Sequence, residues 1–146
     1  MKIIYLILAA FLIIFLVIIG IGYLTPKTPY AEIKGHSFSL YLAKTSKEQE
    51  IGLSKFNKID KNKGMLFIFQ KPDYYSFWMR DMKFPIDIIF INKDKIVDIF
   101  QKVPVPKEGN VPIYTTKEKA DKVLEISSGL SSQYGIKKGD KVKIKL

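Results

Sequence analysis

The chain is expected to be mostly β, a compact single-domain β-sandwich or barrel with one short helix, preceded by an N-terminal transmembrane helix. Three observations carry this expectation. Apolar and polar residues alternate with a period of two over much of the chain beyond residue 30. Turn-forming clusters recur about every ten residues, the rhythm of short strands in a sandwich or barrel. Residues 3–24 contain no charged side chain. At 146 residues the chain has room for one ordinary domain and an appendage.

The appendage comes first. Roughly 22 apolar residues, rising about 1.5 Å each, span the ~30 Å hydrocarbon layer of a bilayer. Tyr5 and Tyr23 stand near its ends, where amphipathic rings favour the headgroups. A secretory signal has a shorter apolar core, of about 7–15 residues, so residues 1–24 are assigned as a transmembrane helix or uncleaved signal anchor. Gly20 and Gly22 keep a cleaved signal open as the alternative. The expected partner of residues 3–24 is the lipid bilayer, making this a single-pass membrane protein. The β domain is placed outside the cytoplasm, because long folded segments translocate largely regardless of flanking lysines. Residues 25–30, with two prolines, form a linker, and residues 31–146 form the β domain.

The elements follow in order. Lys34 and Gly35 mark a hairpin tip before "HSFSLYLA", where Phe38, Leu40 and Leu42 alternate with polar neighbours. Thr45 and Glu48 stand at capping-box spacing and predict a helix over residues 46–53. "GMLFIF" is a continuous apolar run, expected of a strand buried on both faces. Residues 77–80 and 86–91 are predicted strands joined by a turn that Pro85 shapes. "IDIIFIN" and "KIVDIF" flank the polar tip at residues 92–95, a hairpin pattern. Residues 103–114, with three prolines, predict a long surface loop. In "KVKIKL", Val142, Ile144 and Leu146 are assigned to the core and the lysines to water, which protects an edge strand.

Composition narrows the function. The net charge is +10, yet the lysines are scattered, with no block of five or more. That pattern suits a solvated surface and argues against nucleic acid as a partner. Abundant lysine, glutamate and isoleucine without cysteine suit a hyperthermophilic source. His36 is the only histidine and sits at a predicted turn, so neither a histidine-bearing metal cluster nor a Ser-His-Asp triad is expected. No phosphate loop, dinucleotide fingerprint or zinc spacing occurs, and no cofactor is implied.

One segment concentrates the remaining chemistry. "FWMRDMKFPIDIIF", residues 77–90, holds the only tryptophan, Trp78, and the only arginine, Arg80, beside Asp81 and Asp87. Met65, Met79 and Met82 are expected to fill gaps in the core. Asp87 lies between isoleucines in an apolar strand, where an unpaired charge costs several kcal/mol. Arg80 is its candidate partner, because a guanidinium grips a carboxylate through a planar fork that lysine lacks. Arg80 and Asp87 are therefore a candidate structural pair. Trp78, Arg80, Asp81 and Asp87 are together a candidate binding cluster, with Trp78 either a core plug or an aromatic platform.

"GLS" at residues 52–54, "GMLFIF" at 64–69, "FWMRDMKFPIDIIFI" at 77–91, then "VLEISSG" and "GIKKGDKV" occur in that order. This set resembles the domain of unknown function 192 (DUF192) family across roughly residues 31–146. The family pattern more usually carries Asn and Thr-like residues where this chain has Asp81 and Met82. The resemblance implies a compact, mostly β fold and brings no reaction with it. Two functions stay open on the residues. One is a membrane-tethered binding or accessory module for a small polar ligand or protein partner. The other is a carboxylate-dependent hydrolase in which Asp81 and Asp87 divide acid and base roles.

Overall fold

The computed structural model describes residues 2–24, 28–107 and 111–146. A helix, α1 (Lys2–Leu24), comes first. Nine strands follow: β1 (Tyr30–Ile33), β2 (His36–Ala43), β3 (Lys63–Asp73), β4 (Ser76–Trp78), β5 (Ile86–Asn92), β6 (Lys95–Val103), β7 (Ile113–Thr115), β8 (Ala120–Ser127) and β9 (Val142–Lys145). Two short helices are interposed, α2 (Ser46–Ile51), continued by a 3-10 turn over Gly52–Lys55, and α3 (Leu130–Gln133). Seven strands form one sheet in the order β6-β5-β8-β3-β2-β1-β9, and β4 pairs with β7 in a separate ribbon. Only β2 and β3 run parallel in the large sheet; α2 and the 3-10 turn lie in the crossover between them.

The sheet curls into a half-barrel, which decides between the two expected architectures. Its edge strands meet at one end through the Lys95–Lys141 bridge, where Val142 N–H donates to the Asp94 carbonyl and Ile96 N–H to that of Asp140. Apolar side chains fill both faces. Phe38, Leu66, Ile89, Leu124 and Ile126 belong to one cluster; Met65, Phe67, Ile88, Phe90 and Val123 belong to the other. A strand buried on both faces must be apolar throughout, which is why "MLF" in β3 and "IIFI" in β5 show no alternation. Gly64 lets β3 approach β8, since a Cβ there would stand 2.8 Å from the Glu125 carbonyl oxygen.

Local chemistry places the turns. Lys34 and Gly35 both have positive φ (51° and 80°), the twist required of a two-residue hairpin between β1 and β2. The capping box forms: Glu48 N–H donates to Thr45 Oγ1 at 3.3 Å, and the Glu48 carboxylate accepts from Thr45 N–H at 2.9 Å. The lysines of β9 are exposed as expected, whereas Leu146 lies beyond the strand and is exposed rather than buried.

Three expectations are corrected. Residues 77–80 do not form one strand: β4 ends at Trp78, and the chain turns at Arg80 and Asp81. The expected loop at 103–114 ends in β7, which pairs with β4 through Phe77 and Tyr114; residues 108–110 of it lie outside the described residues. The fold also has α3 and the 3-10 turn beyond the single expected helix. Of the expected linker, residues 25–27 lie outside the described residues. The side chains of residues 6 and 18–24 lie outside them as well. Among the described residues no helix is long and apolar enough to cross a membrane.

Candidate functional site

A cavity of about 330 Å³ opens over the second apolar cluster, between the sheet, α2 with its 3-10 turn, and β4. Its volume falls at the lower end of small-molecule sites, about 300–1,000 Å³. Five aromatic side chains line it: Phe67, Phe69, Tyr75, Phe77 and Trp78. Their order follows from the strands. Phe77, on β4, meets Phe67 edge-on at 4.9 Å between ring centres and Phe90 at 5.6 Å, tying the ribbon to the sheet. Phe69 and Tyr75 stack at 3.6 Å beside them. A second groove of about 530 Å³ adjoins past Gln49, Phe69 and Tyr75, with Lys44 and Lys71 on its sides.

The lining also carries polar side chains, Ser46, Gln49, Glu50, Ser76, Arg80 and Glu125. Arg80 is exposed, and its guanidinium carbon sits 4.9 Å from the Trp78 ring centre, a cation–π stack. Trp78 is 43% exposed, so it is not a core plug. Glu125 projects from β8, with Met65 of β3 and Ile88 of β5 beside it, onto the apolar face. It is 5% exposed, lines the cavity, and has no hydrogen-bond partner among the described residues. Burial alone pushes its carboxyl up to about 8.

Glu125 was missed in the sequence, although the signal was there. Its place between Leu124 and Ile126 is the same anomaly that singled out Asp87.

The pairing of Asp87 with Arg80 is overturned. Asp87 is fully buried on the opposite face of the sheet from the cavity cluster. Its Oδ1 accepts from Lys102 N–H at 2.7 Å and Gly129 N–H at 2.9 Å, and its Oδ2 accepts from Ser131 N–H at 2.8 Å. Backbone amides thus supply the donors that a guanidinium was expected to supply. Lys102 and Gly129 both have positive φ (52° and 82°), so the carboxylate fixes two backbone bends at once. Arg80 makes no ion pair with any carboxylate among the described residues.

Asp81 is exposed in the turn after β4 with φ 58°. Asn and Asp tolerate that left-handed conformation better than other residues with side chains. Asp81 therefore suits this turn as an Asn would, and the exchange leaves the backbone shape unchanged. Asp81 and Asp87 share no cleft, and the hydrolase assignment fails because Asp87 is sealed. Met65, Met79 and Met82 are buried core residues. No cluster of three or more His, Cys, Asp or Glu able to hold a metal occurs among the described residues.

The model of the DUF192 family, described as "Uncharacterized ACR", matches residues 30–144. The chain belongs to that family. It is similar to the crystal structure of a protein of unknown function from Novosphingobium aromaticivorans DSM 12444, with 34% identity and a TM-score of 0.70, covering 80% of this chain and 83% of that one. It is also similar to that of a proposed transcription regulator from Sinorhizobium meliloti 1021, with 26% identity and a TM-score of 0.73, covering 82% and 94%. No curated protein matches. The protein is a small β domain of the DUF192 family.

Asp87→Ala is expected to destabilise the fold by ~2 kcal/mol or more, since it removes the acceptor of one buried and two partly buried N–H donors, a buried one costing about 1–3 kcal/mol. Arg80→Lys should change stability by less than ~0.5 kcal/mol, as at an ordinary surface site. Denaturant melts measure both, and equal losses would restore the ion pair. For Glu125 the sign is set by its raised value: the fold favours the neutral acid. Its contribution is complete below the unfolded value near 4.5 and is lost as pH rises towards about 8. Glu125→Gln should therefore gain on the parent by up to about 1.4 kcal/mol per pH unit across that window. Parallel melts from pH 4.5 to 8.5 test this; a constant gap between the two proteins would show that Glu125 titrates normally.

Proposed function

We propose that this protein is a membrane-tethered binding module whose site is the aromatic cavity bounded by Trp78, Arg80 and Glu125. The observation that carries this reading is the juxtaposition of a concave surface bearing five aromatic side chains with Arg80 and the buried Glu125, neither ion-paired nor hydrogen-bonded to a side chain among the described residues. Small-molecule sites combine such walls with a few convergent polar groups. Among the described residues neither serine of the lining, Ser46 or Ser76, is hydrogen-bonded to a carboxylate, which favours binding over catalysis. Nucleic acid is not part of this reading, because the lysines are dispersed.

The tether is α1. Ile3, Ile4, Tyr5 and Phe11 are 62–73% exposed, an arrangement suited to lipid and costly in water. With the apolar run continuing to residue 24, we assign α1 as the single membrane span and the β domain to the extracytoplasmic side. The lysine-rich, cysteine-free composition suits a hot environment.

The only tryptophan stands in the cavity wall and reports its occupancy. Titrating the full chain in detergent micelles with a panel of small aromatic and aliphatic compounds should produce a saturable change in Trp78 emission with at least one class. No change with any compound at millimolar concentration would remove the cavity as a site. Topology has its own test, because the chain has no cysteine. A Lys107→Cys variant should react with an impermeant thiol reagent on intact cells; labelling only after lysis would place the domain inside.

A further inference from the structure

We propose that the cavity takes a small zwitterion of the amino-acid class with an apolar or aromatic side chain, its ammonium group on Glu125 and its carboxylate on Arg80. This rests on the cavity being a binding site and adds the chemistry of what fills it.

Glu125 is the first reason. A carboxyl group buried on an apolar face is costly unless something supplies charge and donors. Asp87, one strand away, receives three N–H groups from the protein, and Glu125 receives none from the described residues. A ligand ammonium would provide up to three N–H donors and the opposite charge, the stronger class of hydrogen bond. Aromatic walls act in the same direction, since ring faces attract cations most where water is excluded.

Arg80 supplies the other end. Its guanidinium lies against Trp78, which limits its orientations and leaves its donors available to a planar acceptor. Carboxylate fits that fork two-pronged. Both groups line one cavity of about 330 Å³, so a single small molecule reaches both. A simple amine would face Arg80 and a net charge of +10 without compensation, and a simple acid would face Glu125. A molecule carrying both charges satisfies each group, and its side chain is left to the phenyl rings. The other ionisable groups lining the cavity are Glu50, exposed on α2, and Tyr75. Glu50 favours the ammonium end.

Binding is then linked to protons. The empty site holds Glu125 neutral near pH 7, and an arriving ammonium displaces that proton to solvent. Affinity should rise with pH up to about 8, with close to one proton released per ligand at about pH 6.5.

Calorimetry on the full chain in detergent micelles, using L-phenylalanine, phenethylamine, 3-phenylpropionate and benzyl alcohol, tests the proposal. Phenylalanine should bind on the order of tenfold or more tighter than any of the others, and buffers of different ionisation heat should reveal the released proton. In Glu125→Gln the preference for phenethylamine over 3-phenylpropionate should fall on the order of tenfold, and the pH dependence should flatten. Arg80→Met should shift that preference in the opposite sense. These ratios are internal to each variant, so altered folding cannot mimic them. Benzyl alcohol or 3-phenylpropionate binding as tightly as phenylalanine would overturn the zwitterion and leave the binding site standing. No binding by any of the four, with other panel compounds still quenching Trp78, overturns it likewise. Silence from the entire panel removes both.

Discussion

Three amide groups converging on the Asp87 carboxylate hold the half-barrel in its shape. They come from the end of β6, from the bend after β8 and from the first turn of α3, parts of the chain far apart in sequence. Backbone bends in the left-handed region cost free energy, and buried N–H groups without acceptors cost more. One side chain offsets both at two such bends. It thereby sets where β6 ends and where the chain leaves β8, and so where the segments leading to the ribbon and to α3 depart from the sheet.

The same sheet carries its second carboxylate in the opposite condition. Asp87 and Glu125 occupy neighbouring strands and point to opposite faces, each among isoleucine, leucine and valine. One is surrounded by donors and the other by rings and methyl groups. Architecture accounts for the first. It gives no return for the second, which lowers stability at neutral pH. A side chain that the fold does not need, at the bottom of an open cavity, is where a requirement outside the fold is most visible.

Much of the architecture was legible in the residues. Hairpin tips at Lys34-Gly35 and at residues 92–95, the capping box at Thr45 and Glu48, and the doubly buried "GMLF" are local patterns with local causes. What escaped depends on distance. Strand β7 is three residues long and exists because Phe77 and Tyr114 bring it against β4, a partner that no local pattern reveals. For Asp87 the sequence exposed the need for a partner, but backbone amides are available everywhere and leave no residue signature. Arginine looked like the answer because side chains are what a sequence displays. Trp78 shows the same limit, since an aromatic residue in a β stretch suits a core and a platform equally. Glu125 was within reach, through the rule already applied to Asp87.

The β4–β7 ribbon has only three residues on each strand, and a two-stranded ribbon of that size is marginal by itself in water. It is fastened to the large sheet through the rings of Phe77 on Phe67 and Phe90 and of Tyr114 on Phe100, whereas the cavity floor lies on strands at the centre of that sheet. The two walls therefore belong to different stability classes. Amide hydrogens of the floor exchange only when the domain unfolds, and those of the ribbon exchange through small local openings. A guest that bridges floor to rim would stitch this marginal ribbon onto the centre of the large sheet.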